Sequence, residues 1–540
     1  MEAAAIGTIV WVVSFVVVTV AVTGLSGRIG WSAPIVLVVV GAVVSFIPGV
    51  PAVEVEPDLI LYGLLPPLLF AAAIRTSFAD VRARRDGILL LSVGLVAFTV
   101  VAVGLTAWLV VPAITLAAAF AFGAVVAPTD AVAVTAIAGR LKLPRRLVTV
   151  LEGESLLNDA TALVALNAAI AAIVAASTGT SATGDAAAEP LSPWLILLEF
   201  VIAVVVGVGF GFVVGGILAA VRKRLHSPVL DTSLSLITPY VAFIPAQLLH
   251  GSGVLAVVVA GLFLGLRAPV IQTAQARIAE ALNWRTIQFL LENAVFLFIG
   301  LSLPAILEGA LATGPGVWPT IWISAAILLS VFLSRFVWMM FTTSVYRFGP
   351  QWLRPRGWSW RNGIAVSVAG IRGVVTLAAV FLLPEETPGR AFLQFLAFVV
   401  VVGTLLGGAF LPFVIRRLHL PPPDFRQEQS EVHMLLAEAQ THGLARLDEE
   451  LDEGVDRRVV ERLRLNAGFL GDALENPGEG DEPLTKTYNR LRRSMIAAER
   501  DAVLAARSEG RYQERAVKAV LAKIDVEETE LDVGRSRGDE

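Results

Sequence analysis

Cysteine is absent from all 540 residues. That excludes disulfides and thiolate metal sites, and it leaves the redox compartment unreadable from composition. Five scattered histidines argue against a His-built metal centre. Charge is scarce too: Asp, Glu, Lys and Arg make up 16% of the chain against 56% hydrophobic residues, and mean hydropathy is +0.73. A soluble domain with a single core needs more charge than this to cover its surface. What the chain does have is apolar runs that repeatedly reach the roughly 20 residues needed to cross hydrocarbon as a helix. The runs are continuous and do not alternate, which points to helices and away from a barrel. The N-terminus, MEAAAIGTIVWVVSFVVVTVAVTG, lacks a basic n-region and a small-residue cleavage site, so it reads as a retained first span. The net charge of −4 says little by itself, and no nucleic-acid partner and no cofactor are expected.

Apolar runs set against Gly, Pro and charge breaks give about thirteen spans. They fall near 6–24, 32–48, 58–74, 88–110, 114–138, 150–176, 194–221, 229–249, 252–266, 286–307, 318–344, 362–383 and 390–415. Alternate connections are basic: Arg28, RTSFADVRARRD at 75–86, GRLKLPRR at 139–146, RKRLH at 222–226, the 267–285 loop and the 346–361 segment. The intervening ones are acidic or neutral. The positive-inside rule then expects a multi-pass protein of the inner membrane, with the N-terminus outside and the C-terminus cytoplasmic. Composition changes after Arg417. Residues 1–420 read as the transmembrane domain, and 421–540, with about half of the chain's charge, as a cytoplasmic tail of short helical patterns behind a PPPDF linker.

Ionisable residues inside spans each cost roughly 2.5–3.5 kcal/mol at a helix centre, so those present need a reason. The fifth span, AAAFAFGAVVAPTDAVAVTAIAG, carries Pro128, Thr129 and Asp130 near its middle. Proline removes a backbone donor and clashes with the preceding turn, so a helix break is expected there, with carbonyls and amides freed at membrane depth. Thr129 and those carbonyls are hard oxygen donors, and Asp130 can satisfy an exposed helix N-terminus. A plain proline kink with a capping aspartate is the competing reading. The sixth span opens LEGESLLNDATALVAL. Ser155 and Asp159 share a helical face; Glu154 and Asn158 form the adjacent pair. With neither Cys nor His, this ligand set is all oxygen, suited to an alkali cation or a proton. Glu152, nearer the cytoplasmic end, is open to an interfacial reading. Arg335 and Arg372 lie in later spans, and pairing with Glu154, Asp130 or Glu292, the buried acids at hand, is the economical reading; for Arg335 snorkelling to the cytoplasmic interface near Trp338 is the competing one. Gly370 and Gly373 around Arg372 point to a second break. Glu292 is either part of a cytoplasmic ion funnel or an interfacial carboxylate. If spans 1–6 and 8–13 are two inverted six-helix repeats, the two breaks fall in spans 5 and 12, which are corresponding positions.

The motifs APTDAVAV, GESLLNDATALV, ENAVFLFIGLSLP, SRFVW and AGIRGVVTLA, in this order, resemble the bacterial NhaP-type sodium/proton antiporters of the first cation/proton antiporter family, relatives of the animal sodium/hydrogen exchangers. The resemblance covers about residues 5–418 and not the tail. It implies a homodimer embedded in membrane lipids, an all-α fold of thirteen transmembrane helices with crossed broken helices, and elevator-like alternating access. Matched motif by motif, it implies that Asp159 binds cation or proton, with Ser155, Thr129 and Glu154 completing a sodium site. It also implies a Glu154–Arg335 pair, and Asp130 and Arg372 at the broken helix ends. Asn158 before Asp159 is similar to the branch that looks electroneutral; the electrogenic branch has two aspartates there.

The expected activity is exchange of Na+, or Li+, for H+ by competition at one carboxylate. K+/H+ exchange on the same machinery is the alternative, because selectivity turns on cavity size and hydration. A channel needs a continuous pore, which paired breaks around a carboxylate argue against. A membrane enzyme needs a nucleophile–base pair, a metal cluster or a phosphate loop, and none is visible in the sequence.

Overall fold

The computed structural model describes residues 2–29, 33–47, 59–112, 114–130, 144–178, 193–348 and 359–420, and in the tail 425–449, parts of 458–465, 484–509 and parts of 520–531. Helix is the only regular structure among them. The chain divides into two compact units, Met1–Pro423 and Asp424–Glu540.

In the first unit the helices are α1 (Glu2–Ile29), α2 (Ala33–Ser45), α3 (Leu65–Arg75), α4 (Phe78–Ala83), α5 (Arg85–Val110), α6 (Leu116–Val126), α7 (Arg145–Thr178) and α8 (Pro193–Arg222). They continue as α9 (Pro228–Leu248), α10 (Gly253–Ile271), α11 (Ala274–Leu301), α12 (Leu303–Thr313), α13 (Val317–Phe348), α14 (Trp360–Val368), α15 (Val374–Phe381), α16 (Arg390–Gly408) and α17 (Leu411–Leu418). Among the described residues eight helices are long and apolar enough to cross a membrane. Hydrocarbon offers backbone groups no water, so these segments satisfy their own hydrogen bonds as helix. Starts are marked by side-chain caps where the sequence supplies a hydroxyl: Thr115, Ser252, Thr273 and Ser359 accept from Ala118, Leu255, Ala276 and Asn362 N–H.

Helices meet closely where small residues face one another. Gly41 of α2 and Gly300 of α11 lie at a crossing so tight that a Cβ on Gly300 would run into the Val38 carbonyl. Gly, Ala and Val dominate the buried core along α6 and α10, whereas α16 buries Phe and Leu as often.

Two segments differ from the sequence reading. The expected 267–285 loop is mostly helix: α10 runs on to Ile271, and α11 starts behind the Thr273 cap, at Ala274. Its charged first turns were read as a connection, but Glu280, Trp284 and Gln288 recur every four residues and are buried, one face of a packed helix. At the other end the expected 286–307 span stops at Leu301, and Pro304 in the first turn of α12 opens a new helix.

The tail contributes α18 (Phe425–Glu449) and α19 (Leu484–Ser508). Arg492 of α19 grips Glu527 through Nε and Nη2 at 2.6 and 2.7 Å, and Arg500 reaches Asp525 and Glu528. The Arg492 guanidinium holds the Glu527 carboxyl below its ordinary range.

Candidate functional site

The helix of the fifth span ends at Val126, two residues before Pro128, and residues 127–130 continue without helical bonding. The expected remainder of that span, 131–138, lies outside the described residues. Further along, α14 ends at Val368 and α15 begins at Val374, leaving 369–373 as a second interruption. The two interruptions meet. Asp130 N–H donates to Ile371 O at 2.8 Å, and a Cβ on Gly373 would overlap the Asp130 carboxylate, so only glycine allows this approach.

Two buried arginines serve the exposed backbone of these breaks. Arg372 donates from Nε to Val126 O, the last carbonyl of α6, at 3.1 Å, and from Nη1 to Gly370 O at 2.5 Å. Its own N–H is received by Thr404 Oγ1 of α16 at 3.0 Å. Arg335 of α13 donates from Nε to Val366 O in the last turn of α14 at 2.9 Å. A cation at a helix C-terminus meets carbonyls that have lost their helical partners. The sequence offered carboxylates as counter-charge for both arginines; the bonds described for Arg372 go instead to carbonyl oxygens.

Arg335 pairs with Glu154, Nη1–Oε1 at 2.5 Å and Nη2–Oε2 at 3.0 Å, and both side chains are 1% exposed. Glu154 also accepts the Thr129 hydroxyl at 2.9 Å. Asn158 Nδ2 donates to Thr129 Oγ1 at 2.9 Å and to Thr129 O at 3.1 Å. Glu154 and Asn158, four apart on α7, thus clamp Thr129 from one side of the helix.

The other side of α7 faces a cavity of about 200 Å³. Glu152, Ser155, Leu156 and Asp159 line it at helical spacing, together with Pro128, Thr129, Asp130, Gly373 and, from α11, Gln288 and Glu292. Asp159 is 7% exposed, and no hydrogen bond to its carboxylate comes from the described residues. Of the residues named from the sequence, Thr129, Asp130, Ser155, Asp159 and Glu292 therefore share one cavity. Glu154, Asn158, Arg335 and Arg372 are packed behind its wall. Glu152 lines the cavity, and Glu292 does so too, its Oε1 held by Gln288 Nε2 at 2.6 Å while Gln288 Oε1 accepts from Arg75 at 3.0 Å. Arg75 also lines the cavity, beside Gln288 and Glu292; the groups nearest Asp159 along α7 and at the break, Ser155, Thr129 and Asp130, offer oxygens, the set that suits a hard monovalent cation or a proton.

Sequence reasoning missed a second buried ionic cluster. Arg222, read as part of an exposed basic loop, is 1% exposed and bonds Asp231 through Nε and Nη2 at 2.8 and 2.9 Å and Glu280 at 2.6 Å. Gln272 bridges both carboxylates, Ser235 donates to Glu280, and Trp284 donates to Ser235 at 2.9 Å. The available signal was the i, i+4 spacing of Glu280 and Trp284.

Comparison with known proteins places these features. The family model described as "Sodium/hydrogen exchanger, transmembrane" matches residues 13–417. An uncharacterised Na+/H+ exchanger of Mycobacterium tuberculosis is 30% identical, the match covering 97% of this chain and 96% of that protein. A sodium, potassium, lithium and rubidium/H+ antiporter of Bacillus subtilis is 31% identical across 69% of this chain and 56% of its own length. Among solved structures, a sodium proton antiporter of Methanocaldococcus jannaschii superposes with TM-score 0.60 at 15% identity, covering 77% of this chain and 99% of that one, a likeness of fold.

Proposed function

The chain belongs to the transmembrane sodium/hydrogen exchanger family, and from that premise we propose that it exchanges Na+, or Li+, for H+ one for one, with cation and proton competing for Asp159. The observation that carries this reading is the contrast between two neighbouring carboxylates on α7. Glu154 is neutralised by Arg335 and faces away from the cavity; Asp159 faces into it without a basic partner among the described residues. A lone carboxylate at membrane depth is costly as a bare anion and cheap once it holds a proton or a cation. If only the neutralised forms cross, exchange is obligatory. Ser155 and the Thr129 oxygens supply further cation ligands, with Glu154 and Asn158 holding Thr129 in place. Because position 158 is Asn and not a second Asp, a single carboxylate serves both ions, which favours an electroneutral cycle. Asp130 and Arg372 stabilise the interrupted backbone beside the site.

The same reading includes thirteen transmembrane helices in two inverted six-helix repeats, with spans 5 and 12 interrupted at corresponding positions. It also includes a homodimer in the inner membrane, the N-terminus outside and the 421–540 tail in the cytoplasm. Potassium is the second candidate cation, favoured by the Bacillus subtilis relative, whose name includes potassium among its exchanged cations.

Reconstitution in liposomes tests the assignment. Sodium steps are expected to drive proton movement, and Asp159→Asn to abolish it while the protein elutes and melts as a folded species. Sodium-driven proton flux that persists in Asp159→Asn overturns the site. Parallel potassium steps rank the two cations, and a steady-state sodium gradient that responds to an imposed membrane potential would exclude one-for-one exchange.

A further inference from the structure

A second cavity, of about 1010 Å³, lies apart from the cation site, between α5, α7 and α8 and beneath the turn that joins α9 to α10. Its walls are mostly apolar, formed by residues such as Val93, Val101, Val164, Ile202 and Val254, with Thr161 and Asn167 of α7 the polar exceptions. Several of these are half open on the outer surface of the helices, Val93 at 40%, Val101 at 47% and Ile202 at 43% exposure. The cavity is therefore continuous with the face that the helices turn toward hydrocarbon. Most of this space offers none of the two to four polar partners that an ordered water needs. A surrounding bilayer can fill it with hydrocarbon.

One end differs. Where α8 begins and α9 gives way to α10, the lining becomes polar, with Glu199, Gln247, His250 and Ser252. The turn is pinned to α8 by Ser252 N–H, which donates to Ala203 O at 2.8 Å, while Gly251 N–H closes the end of α9 by donating to Ala246 O at 2.9 Å. Glu199 stands one helical turn before Ala203, so its carboxylate and the turn share a rim. Glu199 is the single charged side chain among the described lining residues, and it is negative. His250, Gln247 and Ser252 add hydrogen-bonding groups beside it.

An apolar chamber open to the bilayer, with one carboxylate and several polar groups at its surface end, is complementary to a lipid that carries a primary ammonium. We infer that this cavity is a phospholipid site, occupied by an acyl chain of phosphatidylethanolamine whose ammonium bonds Glu199. Phosphatidylcholine has the same chains but no N–H to donate, and phosphatidylglycerol brings a net negative charge against the carboxylate. Nothing in this assignment depends on which cation the protein carries.

The native absence of cysteine makes the test clean. In the full chain reconstituted in liposomes, Val164→Cys is expected to resist a charged, membrane-impermeant thiosulfonate reagent. Reaction as fast as that of a cysteine on an exposed loop would make the chamber an aqueous vestibule and overturn the proposal. A phosphatidylethanolamine with a photoactivatable acyl chain, in nanodiscs, is expected to crosslink to peptides containing Val101, Val164 and Ile202. Unlabelled phosphatidylethanolamine should compete at least fivefold better than phosphatidylcholine or phosphatidylglycerol. Filling the chamber by Ala165→Phe with Ala203→Phe should reduce that crosslinking at least fivefold, while size-exclusion elution and cation/proton exchange report a folded protein. Undiminished crosslinking in a folded filled variant refutes the site. Glu199→Gln should abolish the headgroup preference and spare the acyl crosslink; a preference that survives refutes the headgroup assignment.

Discussion

Glu154→Gln isolates the buried ion pair because it removes one charge and leaves the side chain's shape. In the native protein Arg335 is 1% exposed and its donors reach Glu154 Oε1, Glu154 Oε2 and Val366 O. A glutamine at position 154 offers one oxygen where Arg335 and Thr129 need acceptors, and its NH2 faces guanidinium donors. Arg372 makes matters worse, since a Cβ on Gly370 would touch both guanidinium side chains and the two cations therefore flank one glycine. Breaking a buried pair by removing one partner costs about 3–5 kcal/mol. At about 1.4 kcal/mol per decade that lowers the folded-to-unfolded ratio by two to almost four orders of magnitude. The assay is thermal unfolding of the detergent-solubilised protein, followed by size-exclusion fluorescence, for the wild type, Glu154→Gln, Arg335→Met and the double variant. Both single variants should melt markedly lower, and the double variant should recover most of the loss because no buried charge remains unpaired. Single variants that melt with the wild type, or a double variant no better than either single one, would refute the reasoning.

Other perturbations separate the parts of the site. Thr129→Val deletes the hydroxyl bonded by Glu154 and Asn158 and is expected to raise the half-saturating sodium concentration by about tenfold, the equivalent of one charge-assisted hydrogen bond; sodium-dependence of exchange in liposomes measures it. Gly373→Ala puts a methyl into the Asp130 carboxylate and should cost about 1–3 kcal/mol of stability, seen as a lower melting temperature, with exchange lost in the same variant. Arg222→Met leaves Asp231 and Glu280 buried without their cation and should destabilise by about 3–5 kcal/mol, whereas Arg222→Met with Asp231→Leu and Glu280→Met should regain much of it in the same melting assay.

The membrane segments were legible because hydrocarbon imposes a length and a polarity that a linear sequence displays directly. The interruptions at Pro128 and at Gly370 to Gly373 were legible for the same reason, since proline and paired glycines are rare punctuation in apolar runs. Side-chain direction on α7 could be read only in part. The i, i+4 pairs Ser155 with Asp159 and Glu154 with Asn158 follow from helical spacing, but which pair faces a cavity depends on where Arg335 arrives from, 181 residues away. The role of Arg372 was obscured because its partners are backbone carbonyls, which every residue possesses and no sequence marks. Arg222 was misread because a basic residue at a span end usually lies at the interface; its burial needs Asp231 and Glu280 from two other helices.

The bond from Asp130 N–H to Ile371 O carries an implication for descent. Each interruption leaves backbone groups that the other one satisfies, so a variant that heals one helix strands a donor or an acceptor in its counterpart. A chain with a single break would carry an unmet amide or carbonyl at membrane depth. Substitutions around 127–130 and 369–373 should therefore be inherited as a linked pair, even though 241 residues separate Asp130 from Ile371 along the chain.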